Sequence, residues 1–258
     1  MSNIKLSTRQ DWLNYWKKHD LIRLIPETFG YPDALKKAVS AAGGSGRSIE
    51  LGGFPGTFSV YLKKYCEMDV TLLDYIVDQG IVEKLFEVNG MKSGDITIIE
   101  ADVFSYEPQE HYDLVCSFGF IEHFTDLEQV LCAHLKFMRP GGILLMTLPN
   151  FRGVNGLIQK IFDPATLALH NLQIMNLGLL KNTVSALGMQ DIRVEYYPTT
   201  CVWLEGLGYR SFIIRLILRL INKSISLLAR VSGSQSRWFS DSIVILAKKP
   251  LRETITQY

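Results

Sequence analysis

Cysteine is scarce in this chain. Its four residues, Cys66, Cys116, Cys132 and Cys201, lie far apart with no C-x-x-C pair. That spacing argues against a structural zinc site or a disulfide framework and fits a reduced, cytoplasmic setting. The N-terminal run Met1-Ser2-Asn3-Ile4-Lys5 has no apolar core of the kind a secretory signal needs. Charge of one sign is also missing. Lys and Arg total 27 against 26 Asp and Glu, a formal net charge of +1, and no basic run is interleaved with aromatics. Bulk nucleic acid is therefore not the expected partner. The glycine spacing of a dinucleotide-binding loop is absent as well, since Phe54 and Thr57 stand where that pattern needs glycine, and this disfavours a nicotinamide-dependent oxidoreductase. Internal repeats are absent too.

What is present is enough apolar material for a complete core. At 258 residues, 47% hydrophobic and 21% charged, the chain can fold as one domain with attachments. The N-terminal part carries two helical patterns, Ser7 to Asp20 and Pro32 to Ala42, closed by the loop Gly43-Gly44-Ser45-Gly46. From Arg47 to Leu148, strand-like runs rich in Val, Ile and Leu alternate with helical segments at Thr57–Tyr65, Ile76–Asn89 and Asp126–Met138. This is the pattern of a parallel sheet covered on both faces. Further on, a loop-rich stretch at 150–171 precedes a helix over Leu172 to Leu187. Asp191–Tyr197 and Ser242–Lys249 then read as strands separated by a long insert.

The richest local signal is Ile49-Glu50-Leu51-Gly52-Gly53-Phe54-Pro55-Gly56, which joins the first strand to a helix. Glycines leading into a helix N-terminus expose backbone N–H groups to polar ligand atoms, and an acid at the end of the next strand, here Asp74, can accept both hydroxyls of a ribose. An acid placed first, Glu50, suits a ligand that carries an amino group and no pyrophosphate. The third strand signal also ends in an acid, at Ile96-Thr-Ile-Ile-Glu-Ala-Asp102-Val103. It is followed by Tyr112-Asp-Leu-Val-Cys-Ser117, by Phe118-Gly-Phe-Ile-Glu122-His123-Phe124, and by a strand ending near Leu148.

In this order the elements resemble the class I S-adenosylmethionine-dependent methyltransferases of the small-molecule type, over Arg47 to Leu148 and more loosely to Lys249. The resemblance implies an α/β, Rossmann-like, doubly wound sheet of seven strands with the last antiparallel. Residues 1–46 would be a helical attachment and 47–258 the catalytic domain, with inserts at 150–171 and 203–240 serving as a substrate lid. The implied cofactor is S-adenosyl-L-methionine, held by Glu50, Gly52, Gly53, Gly56, Asp74, Asp102, Val103 and Phe118. Asp102 and Val103 would meet the adenine. His123 falls where the family often has a histidine and is the candidate general base, with His170 second. No metal is expected, because Gly119 stands where related RNA-end methyltransferases carry another acid beside the Glu122-His123 pair. Pro149-Asn150-Phe151-Arg152-Gly153, Asp163-Pro164, His170-Asn171 and Met175 are similar to methyltransferases associated with bacterial surface-polysaccharide and envelope synthesis. That points to a small-molecule or glycolipid acceptor, the alternative being a catalytically silent cofactor-binding scaffold.

A last feature lies in the insert. At 100° per residue, residues 209–231 place Ser211, Arg215, Arg219, Asn222, Lys223, Ser226 and Arg230 on one stripe, with Ile and Leu filling most of the rest. The charges argue against a membrane span. A basic amphipathic helix of this kind either contacts an anionic membrane surface peripherally, on the cytoplasmic side, or packs internally or against another copy of the chain.

Overall fold

A computed structural model describes residues 5–16, 19–202, 204, 216, 219–224, 227 and 235–251. Seven strands form one sheet: β1 (Arg47–Leu51), β2 (Asp69–Asp74), β3 (Ile96–Glu100), β4 (Tyr112–Phe118), β5 (Met138–Pro149), β6 (Gln190–Tyr196) and β7 (Ser242–Lys248). Their order across the sheet is β3-β2-β1-β4-β5-β7-β6. The first five run parallel, and β7 pairs antiparallel with both β5 and β6. The expected seven-stranded α/β sheet with an antiparallel last strand is thus observed. The order reverses between β1 and β4, and ligands of such sheets bind outside the carboxyl ends of the strands at that point.

Helices cover both faces, and each side holds its own core. On one side α2 (Pro32–Ala41), α3 (Thr57–Cys66) and α4 (Gln79–Val88) bury Leu35, Val39, Val60, Leu62, Leu85 and Phe86 against Val70, Leu72 and Leu114. On the other, α5 (Leu127–Leu135) and α8 (Leu177–Ala186) bury Val130, Leu131, Leu180 and Val184 against Ile49, Val115 and Leu144. The central strands are apolar on both faces because both faces are covered. Truncating one of the fully buried leucines to alanine would cost about 2–5 kcal/mol. Through Leu35, Ala38 and Val39, α2 contributes to this layer.

Helix starts follow local capping. α4 begins at Gln79 rather than Ile76, because the Asp74 carboxylate takes the Ile76 N–H and Asp78 then caps Ile81. α8 begins at Leu177 rather than Leu172. Asn171 ties to Glu122 and Phe124, and Asn176 caps Gly178 and Leu179. A short helix α1 (Arg9–Trp16) lies across the carboxyl end of the sheet, and α6 (Val154–Phe162) and α7 (Pro164–Leu167) follow β5.

Most of 209–231 lies outside the described residues. Within it, residues 219–224 are helical. Asn222, placed on the polar stripe by periodicity, turns inward and bonds both the N–H and the carbonyl of Val202. Ile221 packs with Val154, Ile158, Val202 and Leu204, whereas Leu216, Leu220 and Leu227 are exposed. Among the described residues no helix is long and apolar enough to cross a membrane.

Candidate functional site

Two cavities open at the carboxyl ends of the parallel strands, and they share a wall. The smaller, about 200 Å³, is lined by Leu73, Asp74, Ile76, Asp102, Val103, Phe104 and Phe120. The larger, about 440 Å³, is lined by Glu50, Gly53, Phe54, Tyr31, Phe118, Glu122 and His170, among others. Gly52, Gly119, His123, Ser7, Trp12 and Trp16 border both. All nine residues expected from the sequence to form the site fall at this end of the sheet. Eight line one or both cavities, and the ninth, Gly56, lies just behind them as the N-cap of α3.

The loop's glycines are required by close approach. A Cβ at position 53 would come within 2.3 Å of the Glu50 carboxyl carbon. At Gly52, whose φ is +67°, it would come within 2.1 Å of the Phe120 ring. Glu50 is buried, and its Oε2 accepts the Ser59 hydroxyl at 2.5 Å. Burial dominates its chemistry and raises its pKa to about 8, opposed by the Ser59 hydrogen bonds. Asp74 binds the loop itself: Oδ2 accepts from Phe54 N–H at 2.9 Å and Oδ1 from Ile76 N–H at 3.0 Å. Burial raises it to about 6 even against these bonds.

Asp102 is engaged more heavily than its motif suggests. Its Oδ1 accepts the Phe104 N–H, and its Oδ2 pairs with Lys5 Nζ at 2.6 Å. The Lys5 ammonium also stands 4.3 Å over the Tyr75 ring. Lys5 and Leu6 are held by a bridge to Phe124 and by the Leu6 N–H to His123 carbonyl bond at 2.8 Å. Lys5, Ser7 and Thr8 are thereby held against the smaller cavity and line it. Phe118 stacks on Phe58 with ring centroids 3.8 Å apart, and Phe58 and Tyr31 complete an aromatic wall.

His123 is buried at the junction of the cavities. Its Nδ1 lies 3.0 Å from the Leu169 carbonyl, which can only accept, so the proton sits on Nδ1 and Nε2 keeps its lone pair. Burial, then the neighbouring His170, lowers its pKa to about 3. At neutral pH it is an uncharged lone-pair donor and a weak proton acceptor. His170, which the sequence offered only as a second candidate, lies beside it with ring centroids 4.7 Å apart. Sequence reasoning missed Trp12, whose ring meets His123 edge-on at 4.8 Å, and Trp16, which packs on Phe54 at 5.3 Å. Their signal was available. The pair is spaced i, i+4 on a helix that buries none of its residues in the core.

The larger cavity is acidic and aromatic. Asp11, Asp20, Glu50 and Glu122 line it, and of its described lining residues only Arg23 carries a fixed positive charge. Asp11 and Asp20 favour cations there, and the carboxyl oxygens offer acceptors to hydroxyl or ammonium donors.

A family model described as a methyltransferase domain matches residues 13–188. No protein among the curated sequences compared matches the chain. Among solved structures, an S-adenosylmethionine-dependent methyltransferase from Archaeoglobus fulgidus aligns at TM-score 0.55 and 22% identity, over 84% of this chain and 92% of the other. A phosphoethanolamine N-methyltransferase 2 from Haemonchus contortus, solved with phosphomonomethylethanolamine and S-adenosylhomocysteine, aligns at TM-score 0.59 and 19% identity. That alignment covers 94% of this chain but 58% of the Haemonchus chain. These likenesses carry the fold.

Proposed function

Because the chain belongs to the methyltransferase-domain family, we propose that it moves the methyl group of S-adenosylmethionine to a small or amphipathic acceptor across the junction between its two cavities. The observation that carries this reading is the shared wall of Gly52, Gly119 and His123. Adenosine in the smaller cavity puts its ribose at Asp74 and its base near Asp102 and Val103. The methionine moiety then runs past Gly52 to Glu50, and the sulfonium faces the larger cavity.

At that point the acceptor's lone pair attacks the methyl carbon, and the bond to sulfur breaks with its electron pair staying on sulfur. The sulfonium is already a strong electrophile, so holding the acceptor close and in line supplies much of the rate. Trp12, Trp16 and Tyr31 cover an apolar acceptor face, and Asp11, Asp20 and Glu122 accept its hydroxyl protons.

The finer part of the reading is an amphipathic acceptor of the envelope-glycolipid kind, met at an anionic membrane surface. Its support is the exposed apolar set Leu157 and Ile161 on α6 with Leu216, Leu220 and Leu227, beside Arg219 and Lys223. The α6 helix and residues 219–224 share one buried cluster, so the two exposed sets belong to neighbouring elements. A screen of hydroxylated lipid-linked sugars against the purified protein, following S-adenosylhomocysteine release, tests the activity. Vesicles of rising anionic lipid content test the docking. Release unaffected by every acceptor in the panel, or indifference to vesicle charge at low salt, would remove the corresponding part.

A further inference from the structure

We propose that Glu122, His123 and His170 form a binding site for one divalent first-row transition ion on the acceptor side of the junction. One ligand atom from each of the three lies within 4.8 Å of the others, and Glu122 Oε1 stands 4.0 Å from His123 Nε2. Two imidazoles and one carboxylate, with positions left open toward a cavity, make a donor set suited to zinc, iron(II) or cobalt(II) rather than magnesium.

The second layer is in place for ligation. His123 Nδ1 is bonded to the Leu169 carbonyl at 3.0 Å and His170 Nδ1 to the Thr166 carbonyl at 2.8 Å. Carbonyls accept only, so both rings carry their proton on Nδ1 and keep Nε2 for a metal, the arrangement in which metal-binding histidines are oriented. Both rings are also held laterally, His123 by Trp12 and His170 by Phe151 at 5.0 Å.

The backbone brings the donors together from distant positions. Glu122 and His123 lie on the 3₁₀ turn at Ile121–His123, and His170 follows α7. The two segments are tied by the Asn171 N–H to Glu122 carbonyl bond at 2.6 Å. Coordination would need donor separations of about 3–3.5 Å, a contraction within reach of the side-chain torsions. Gly119 leaves Glu122 and His123 without a second acid nearby in sequence, and the third donor, His170, comes from 48 residues beyond Glu122. The ion's role rests on the proposed acceptor cavity, because its open positions face the space assigned to the acceptor. The binding itself does not depend on that reading.

Chelator-treated full-length protein titrated with Co²⁺, and separately with Zn²⁺, is the test, read by the visible absorption of Co²⁺ and by calorimetry. The expected result is one ion per chain, with affinity falling about 10-fold or more in His170→Ala. S-adenosylhomocysteine binding, read on the same samples, reports folding. If His170→Ala fails that check, Glu122→Gln, which preserves volume, serves in its place with the same expected loss. No ion bound by the wild type, or full binding kept by the folded variant, overturns the proposal. Metal binding in a protein that ignores S-adenosylhomocysteine would instead overturn the cofactor reading and leave this site standing.

Discussion

Cofactor binding is expected to release protons, because Glu50 waits in its neutral form. Burial holds the carboxyl at about 8, so at pH 7 only about a tenth of the free protein carries the charge that the ligand's ammonium needs. Asp74, at about 6, is mostly ionised at pH 7 and half ionised one unit lower. If both must be charged in the complex, binding at pH 7 releases about one proton. Lowering the pH from 7 to 6 raises Kd roughly 15-fold, most of it from Glu50. This range lies below the deprotonation of the ligand's own amino group. Calorimetry of S-adenosylhomocysteine binding in buffers of different ionisation enthalpy gives the proton count directly. Glu50→Gln should abolish most of the proton release and weaken binding at every pH. An enthalpy independent of buffer, or a Kd constant between pH 6 and 7, would refute the assignment of Glu50.

Further outcomes follow from the same geometry. Asp74→Ala should weaken S-adenosylhomocysteine by about 1.5–3 kcal/mol through loss of a charged acceptor, measured by calorimetry on a variant shown to be folded. Gly53→Ala drives a Cβ into the Glu50 carboxyl and should abolish cofactor binding with the sheet's circular dichroism unchanged. In the free protein the two buried histidines should each withdraw stability as pH falls below 6.5, an effect that the raised carboxyls of Glu50 and Asp74 largely offset across pH 5–7. His123 and His134 are buried neutral with pKa lowered to about 3 and about 4, so the unfolded chain takes up protons that the folded chain refuses. The slope is about 1.4 kcal/mol per pH unit for each histidine until its folded value is reached, and thermal melts across pH 5–7 check it by comparison, the wild type staying nearly flat while Glu50→Gln loses stability on acidification. Glu50 has the opposite sign. Its raised value stabilises the protonated fold, and that contribution declines from pH 4.5 upward toward 8, which saturating S-adenosylhomocysteine should flatten.

The elements legible in the sequence were those whose causes are local. The alternation of apolar runs with helical segments gave the sheet and its covering. Strand-end acids Asp74 and Asp102 and the glycines at 52, 53 and 56 were readable because their reasons, close approach and helix entry, lie within a few residues. Helix starts were misread wherever an Asx side chain held the chain out of the helix, as at Asp74 and Asn176. Contacts made by folding were invisible. Nothing near Asp102 foretells Lys5, 97 positions earlier. Nothing near His123 foretells His170, brought in through the Leu169 carbonyl and Asn171. Asn222 was assigned outward by periodicity, yet it satisfies the Val202 backbone, a pairing that helical phase alone cannot reveal.

The division of labour between the two cavities turns on where the cofactor's sulfur lies. A crystal structure with S-adenosylhomocysteine should show the ribose on Asp74, the amino group near Glu50, and the sulfur at the wall formed by Gly52, Gly119 and His123, facing the larger cavity. A thioether turned away from that wall, or the nucleoside lodged in the larger cavity, would contradict the account.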